Sequence, residues 1–281
     1  MSKYTVRNIC ERIEEWLDEN NWEWGYTCPG LKDYHSLNEE TACCKSIVNW
    51  MLKDKHLIKI ANGIKAKKPD LLNHCRFLYY KRGRHDGKPT VSENGSSNTN
   101  QVEKNIAKAL FRFSQRNSNI SEYTSNGVNL GRIIDYETPT IPGGKRNIDL
   151  LSVSSDGRKL FFLELKKRKS IETLLRCILE AYSYFLLVDM ERMLEDFCSG
   201  ETINKEKVKE IVICPLIFDD SECVAYKDYS ERSDLIKSIT AELVRITEPL
   251  DGLKLRFDCA VLSTDKLSDA FDDNDKKWLE A

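Results

Sequence analysis

One stretch, residues 147–169 (NIDLLSVSSDGRKLFFLELKKRK), restricts the folds open to this chain more than any other. Two apolar runs of strand length flank Asp156-Gly157, a dipeptide that favours a two-residue hairpin turn because both positions take φ > 0. With those two residues as the loop, Asp149 faces Glu164, Leu151 faces Phe162 and Val153 faces Leu160. Side chains alternate along a strand, so Lys166 emerges on the same face as Glu164, one pleat further on. Ile148 and Leu150 share one side with Phe161, Leu163 and Leu165, while Leu151 and Phe162 line the other.

Like charges directly opposite in a ladder destabilise it, so Asp149 and Glu164 on an otherwise apolar hairpin call for a compensating cation. A hard divalent ion fits, because Mg²⁺ is commonly held by one or two carboxylates, water and substrate phosphate. Lys166 beside it can orient a water or stabilise charge developing on phosphorus. The plainer alternative is an Asp–Lys–Glu salt-bridge cluster at a strand end.

These residues resemble the PD-(D/E)xK nuclease superfamily. Asp149 matches the motif aspartate and Glu164-Leu165-Lys166 matches E-x-K, with Ile148 where the family name has proline. The resemblance implies a restriction-endonuclease-like α/β fold, a mixed central β-sheet flanked by helices, and metal-dependent hydrolysis of phosphodiester bonds, with DNA as the expected partner. It makes Asp149 and Glu164 ligands of Mg²⁺ (or Mn²⁺) and Lys166 a catalytic residue. A homodimer is also compatible, since relatives that cut both strands often pair. In many relatives a glutamate of the first helix faces the metal site, and Glu103 occupies the matching place. Asn100-x-x-Glu103 is equally a capping box, which leaves both roles open. Glu180-x-x-x-Tyr184 is similar to the Gln-x-x-x-Tyr motif of the RecB-like branch, with glutamate for glutamine, and places both residues in support of the site. Arg176, Glu180 and Tyr184 share one helix face, so an Arg176–Glu180 surface ion pair explains that spacing as well.

The surrounding pattern supplies the order the superfamily core requires. A helix near 101–116 buries Val102, Ile106, Ala109, Leu110 and Phe113. A strand over 128–138 and a Pro-Thr-Ile-Pro-Gly-Gly loop then lead into the hairpin, placing Lys145 and Arg146 near bound phosphates. Asp135 and Glu137 are reserve candidates for metal ligation, with a structural or solvated role as the simpler reading. One long helix is expected over 170–197, then a strand over 210–218, a helix over 231–246, a strand over 253–262 and a charged terminal helix. Pro215 suggests that the 210–218 strand bends or ends there. The sum is a mixed α/β sandwich.

The first part of the chain reads differently. Residues 4–19 have helical apolar spacing, and Ser36-Leu37-Asn38-Glu39 opens a second helix running to Lys53. LIKIANGIKAKK follows, with Asn62-Gly63 as another hairpin signal. Helices followed by a basic hairpin outline a winged helix, with Lys65, Lys67 and Lys68 as phosphate contacts of the wing. A helical cap or dimerisation module with a solvated lysine-rich hairpin is the competing outline. Between residues 45 and 88 twelve Lys/Arg stand against three Asp, a concentration of positive charge in a chain whose net charge is only −2. Residues 82–100, polar and rich in Gly, Ser and Asn, read as a linker between a winged-helix-like domain (1–81) and a nuclease-like domain (101–281).

All four histidines precede residue 86, which excludes histidine-based nuclease and Ser-His-Asp chemistry from the second domain. No GxxxxGK[ST] motif occurs. The ten cysteines form no CxxC pair. Cys28, His35, Cys43, Cys44, His74 and Cys75 follow no zinc-module spacing, so reduced, buried cysteines are expected. No apolar run reaches membrane-spanning length and the N-terminus has no signal-like apolar region, so no membrane partner and a cytoplasmic location are expected.

Overall fold

A computed structural model describes residues 6–19, 40–53, 55–66, 79, 99–117, 119–141, 146–200, 202–221, 230–247 and 252–279. Lys67, Lys68, Lys145, residues 82–98 of the expected linker and Cys28, His35, His74 and Cys75 lie outside them.

Three helices come first: α1 (Val6–Glu19), α2 (Glu40–Leu52) and α3 (His56–Ala66). After α4 (Thr99–Asn117) come β1 (Arg132–Pro139), β2 (Asn147–Val153) and β3 (Lys159–Leu165). Helices α5 (Leu174–Leu187) and α6 (Met190–Ser199) lead into β4 (Glu210–Phe218). The chain continues through α7 (Ser230–Ile246), β5 (Lys254–Phe257), β6 (Ala260–Leu262), α8 (Thr264–Ala270) and α9 (Asp273–Leu279).

The six strands form one mixed sheet in the order β1-β2-β3-β4-β5, with β6 also on β4. β1, β2 and β3 are an antiparallel meander, while β4 runs parallel to β3 and to β5 and β6. The β3–β4 crossover passes through α5 and α6, as a parallel connection requires. Leu110, Phe113, Leu150, Phe161, Leu163, Leu165 and Leu216 fill the α4 side of the sheet. Leu151, Leu160, Phe162, Ile211 and Ile213 pack with α5 on the other side. Ile148, beyond the last β2–β3 pair where the strands part, joins this second cluster rather than the Leu150 side.

The expected hairpin register holds. Leu150 pairs with Leu163, Leu151 with Phe162, and Val153 with Leu160. The turn differs: Ser154 N donates to Lys159 O, so the loop is the four residues 155–158, and only Gly157 has positive φ (+74°). Both loops are even-numbered and share a centre, which is why the register survives. The Asp156 carboxylate accepts from Ser154 Oγ and Arg158 N, closing the turn as an Asx motif.

Pro215 does not end β4, which runs on to Phe218. Lys166 N donates to Leu216 O, while Asp258 N donates to Ile213 O on the opposite side. Pro215 shares the parity of Ile213, so its missing N–H falls between the last β5 pair at Phe257 and the first β6 pair at Ala260. No ladder bond is lost.

Two further expectations are corrected. The 170–197 segment is two helices, because Asp189 caps α6 by accepting from Arg192 N. Residues 57–66, read as a hairpin, belong to a helix. Leu57, Ile60, Ala61 and Ile64 follow helical spacing and are all buried, and that burial overrides the turn preference of Asn62-Gly63. Lys65 therefore sits in the last turn of α3, not on a wing. Helices α1–α3 contribute Ile13, Leu17, Ile47, Met51, Leu57 and Ile60 to the cluster that includes α5, with α3 packed on α5 and α2 on α7. No helix among the described residues is long and apolar enough to cross a membrane.

Candidate active site

The ladder between β2 and β3 stops at Leu150–Leu163, and the next facing positions are Asp149 and Glu164. Where the strands part, Asp149 turns one carboxylate oxygen to Leu165 N (2.9 Å). Glu164 pairs with Pro215 on β4 and is only 3% exposed. On the other edge, a bulge between Ile133 and Asp135 shifts β1 by one residue, and the pairing beyond it sets Glu137 opposite Asp149. Glu137 holds φ = +50°, a rare conformation for a residue with a Cβ. Three adjacent strands thus bring a carboxylate to the same row.

These side chains line a cavity of about 190 Å³ together with Glu103, Lys104, Asn147, Lys166, Glu172, Arg176, Glu180 and Tyr184. Lys166 is buried, with Nζ 2.7 Å from Glu164 Oε1, 3.0 Å from Glu180 Oε2 and 3.2 Å from Glu172 Oε2. Tyr184 donates its hydroxyl to Glu180 Oε1 (3.1 Å), which fixes the helix face that carries both. Arg176 pairs with Glu172 (2.8 Å) rather than Glu180 as expected, because Lys166 holds the Glu180 carboxylate. Glu103 accepts from Lys167 N (3.3 Å) just past β3. Asn100 is already inside α4, which leaves the capping box without its N-cap, and the Glu103 carboxylate faces the cavity instead.

The electrostatics separate two kinds of carboxylate. Six acidic side chains face three cations in this cavity. Burial disfavours the Lys166 charge, but Glu164, Glu180 and their neighbours outweigh it and hold its pKa well above the usual lysine range. Burial pushes Glu180 up, yet Lys166, a hydrogen bond with Glu164 and the Arg176 charge together outweigh it and keep it below its ordinary value. Asp149 and Glu164 stay well above theirs: burial acts first on both, and Glu180 and the neighbouring acids add to it. Asp149 is half-exposed along its length, but its carboxyl group is enclosed by protein. Glu103 is raised too, by burial and then by Glu172 and Glu180 against the pull of Lys166.

One atom stands out. Glu164 Oε2 is buried with no donor to accept from, and the Glu164 carboxyl lies within hydrogen-bonding reach of the Glu180 carboxyl, so the pair calls for a proton or a cation between its charges. A buried carboxyl oxygen beside a second carboxyl has the chemistry of a hard-cation ligand once both are ionised. Among the described residues no group of three or more His, Cys, Asp or Glu is already gathered closely enough to hold a metal ion. Asp149 and Glu164 are the two carboxylates that could hold one.

The other expected residues separate from this cluster. Asp135 is buried and accepts from Thr138 Oγ1 (2.7 Å) behind β1, a structural role. Arg146 is part of the loop joining β1 to β2, where its carbonyl accepts from Thr140 N and Oγ1. Lys104, Asn147 and Glu172 line the cavity without having been singled out from the sequence. Glu172-x-x-x-Arg176 carries i,i+4 spacing that would have flagged the last of these. Comparison of the chain with family models, with curated proteins and with solved structures returns no match.

Proposed function

We propose that this protein is a divalent-metal-dependent nuclease of the PD-(D/E)xK type that hydrolyses phosphodiester bonds of DNA. The observation that carries the reading is the unpartnered, buried Glu164 Oε2 beside Asp149, in a cavity that also holds Lys166. Asp149 and Glu164 are the residues that would hold Mg²⁺ or Mn²⁺. When bound, such an ion supplies Lewis-acid stabilisation of phosphate charge and a water of lowered pKa. Lys166, kept protonated by its carboxylate neighbours, is suited to stabilise negative charge on the scissile phosphate rather than to remove a proton. Glu180, oriented by Tyr184, holds Lys166 in place, and Glu103 offers a further carboxylate for orienting water.

The test is incubation of the protein with supercoiled and linear DNA and single strands, with Mg²⁺ or Mn²⁺ and then with EDTA. Metal-dependent cleavage that is lost in Asp149→Ala and falls at least about a hundredfold in Lys166→Ala, the scale of one lost charge-stabilising group, is expected. The saturated ion pairing of Lys166 favours one second reading, a non-catalytic nucleic-acid-binding protein on this fold. Binding of DNA with no cleavage under either metal would select it.

A further inference from the structure

Helix α4 carries Lys104, Lys108 and Arg112 at successive i,i+4 positions, so three cations share one face, and Lys104 at its N-terminal end lines the cavity. Arg112 is neutralised by Asp275 of α9. Lys104 lies at the cavity rim with its side chain 47% exposed, and it is 3.0 Å from Glu137 Oε2. Lys108 is held below the usual lysine range by burial and then by Lys104 and Arg112, against the pull of Glu137. Glu137 reaches this position from a left-handed backbone, and it also accepts from Asn147 Nδ2 (3.1 Å). A carboxylate held by a locally strained backbone against Lys104, with Lys108 one helical turn further along the same face, marks a functional position rather than a relaxed surface pair.

We infer that Lys104 and Lys108 form a phosphate subsite next to the Asp149–Glu164 pair, with the Glu137 carboxylate occupying it until a phosphate displaces it. Lys104 moves from Glu137 to the incoming phosphate, and Asn147 retains the released carboxylate. The subsite takes a phosphate group of a polynucleotide, either an internal phosphodiester or a terminal phosphomonoester. Identification of the ligand rests on the nuclease reading; the cation geometry does not.

The deciding measurement is anisotropy of labelled oligonucleotides with saturating Ca²⁺ in place of Mg²⁺, across a salt series. Lys104→Ala and Lys108→Ala should each weaken binding and lower the salt slope by about one. Glu137→Gln should tighten binding about two- to fivefold, the range a solvent-exposed ion pair is worth, and this gain should vanish in Glu137→Gln/Lys104→Ala. A role of Glu137 in stability alone predicts no gain. In turnover, Lys104→Ala should raise KM with kcat within about twofold, the mark of uniform binding. Tighter binding of 5′-phosphorylated over 5′-hydroxyl strands identifies a terminal phosphate, and equal binding an internal diester. Unchanged salt slopes in both lysine variants, or weaker binding by Glu137→Gln, overturn the subsite. If the wild type binds but cleaves nothing, the nuclease reading fails while these binding arms still decide the subsite.

Discussion

Asp149→Asn tests the cost of placing two carboxylates face to face. The ordinary values for Asp149 and Glu164 are 3.8 and 4.5, and both are raised well above them in the folded chain. Between those values and the folded ones, the folded state binds more protons than the unfolded state, so metal-free stability falls as pH rises. The stabilising contribution is complete below the unfolded values and is lost as pH climbs through the folded ones. Asp149→Asn should flatten this fall and raise metal-free stability near pH 8 by roughly 0.5–3 kcal/mol, the usual single-substitution scale with its sign reversed. Urea unfolding of both proteins at pH 5 and pH 8, with EDTA, measures it. Mn²⁺ should restore the wild type, by about 2.7 kcal/mol at a concentration a hundred times its Kd. The variant should show no such gain, and equal pH slopes in the two proteins would contradict a burial-raised Asp149 carboxyl. Asp149, Glu164 and Lys166 were legible because strand alternation and a turn dipeptide fix which residues face each other. Glu137 was readable only as a reserve ligand and Lys104 not at all, because their convergence depends on a bulge in β1 and on the packing of α4; Glu172 left only its i,i+4 spacing with Arg176.

At the scale of elements, the meander depends on a close backbone approach at the start of β1. Gly131 has φ = +61°, and a Cβ built there would lie 2.1 Å from Val153 O and 2.7 Å from Ser154 C. Gly131→Ala should therefore abolish folding or cost more than about 4 kcal/mol, since the obstruction is backbone on both sides. Gly157→Ala is the control: φ is +74°, but nothing lies nearer than 3.7 Å, so only the left-handed cost of about 1–2 kcal/mol remains. Chemical denaturation of the pair checks both, and equal losses would show that the approach is softer than described. The strands and helices around this meander were readable wherever one periodicity dominated, as in the unbroken apolar run of β4, buried on both faces. Reading failed where two signals competed. In α3 the Asn62-Gly63 turn preference opposed the helical spacing of Leu57, Ile60 and Ile64; after α5 the apolar pattern ran on while Asp189 capped a new helix.

For the whole molecule, the decisive fact is that α5 is apolar nearly all round, with every residue but Arg176 buried. A helix of that kind needs cover on both sides. The sheet supplies one side and α3 packs on another, with Leu57 2% and Ile60 3% exposed, while α2 packs on α7 and α1 on α2. Tyr79 adds a fixed point: it is fully enclosed, its hydroxyl accepts from Asp189 N (2.7 Å), and its N–H donates to Asp196 (2.8 Å). The helices expected to form a separate N-terminal module share an apolar cluster with α5, the helix that carries Glu180 and Tyr184. Leu57→Ala should cost about 2–5 kcal/mol, as for any large-to-small change in a packed core. It should do so in one transition seen alike by far-ultraviolet circular dichroism and by loss of Mn²⁺ binding. A fragment spanning residues 99–281 should expose the outer face of α5 and aggregate. Two separate transitions in Leu57→Ala, or a soluble fragment with wild-type Mn²⁺ affinity, would show that the N-terminal helices do not support the site.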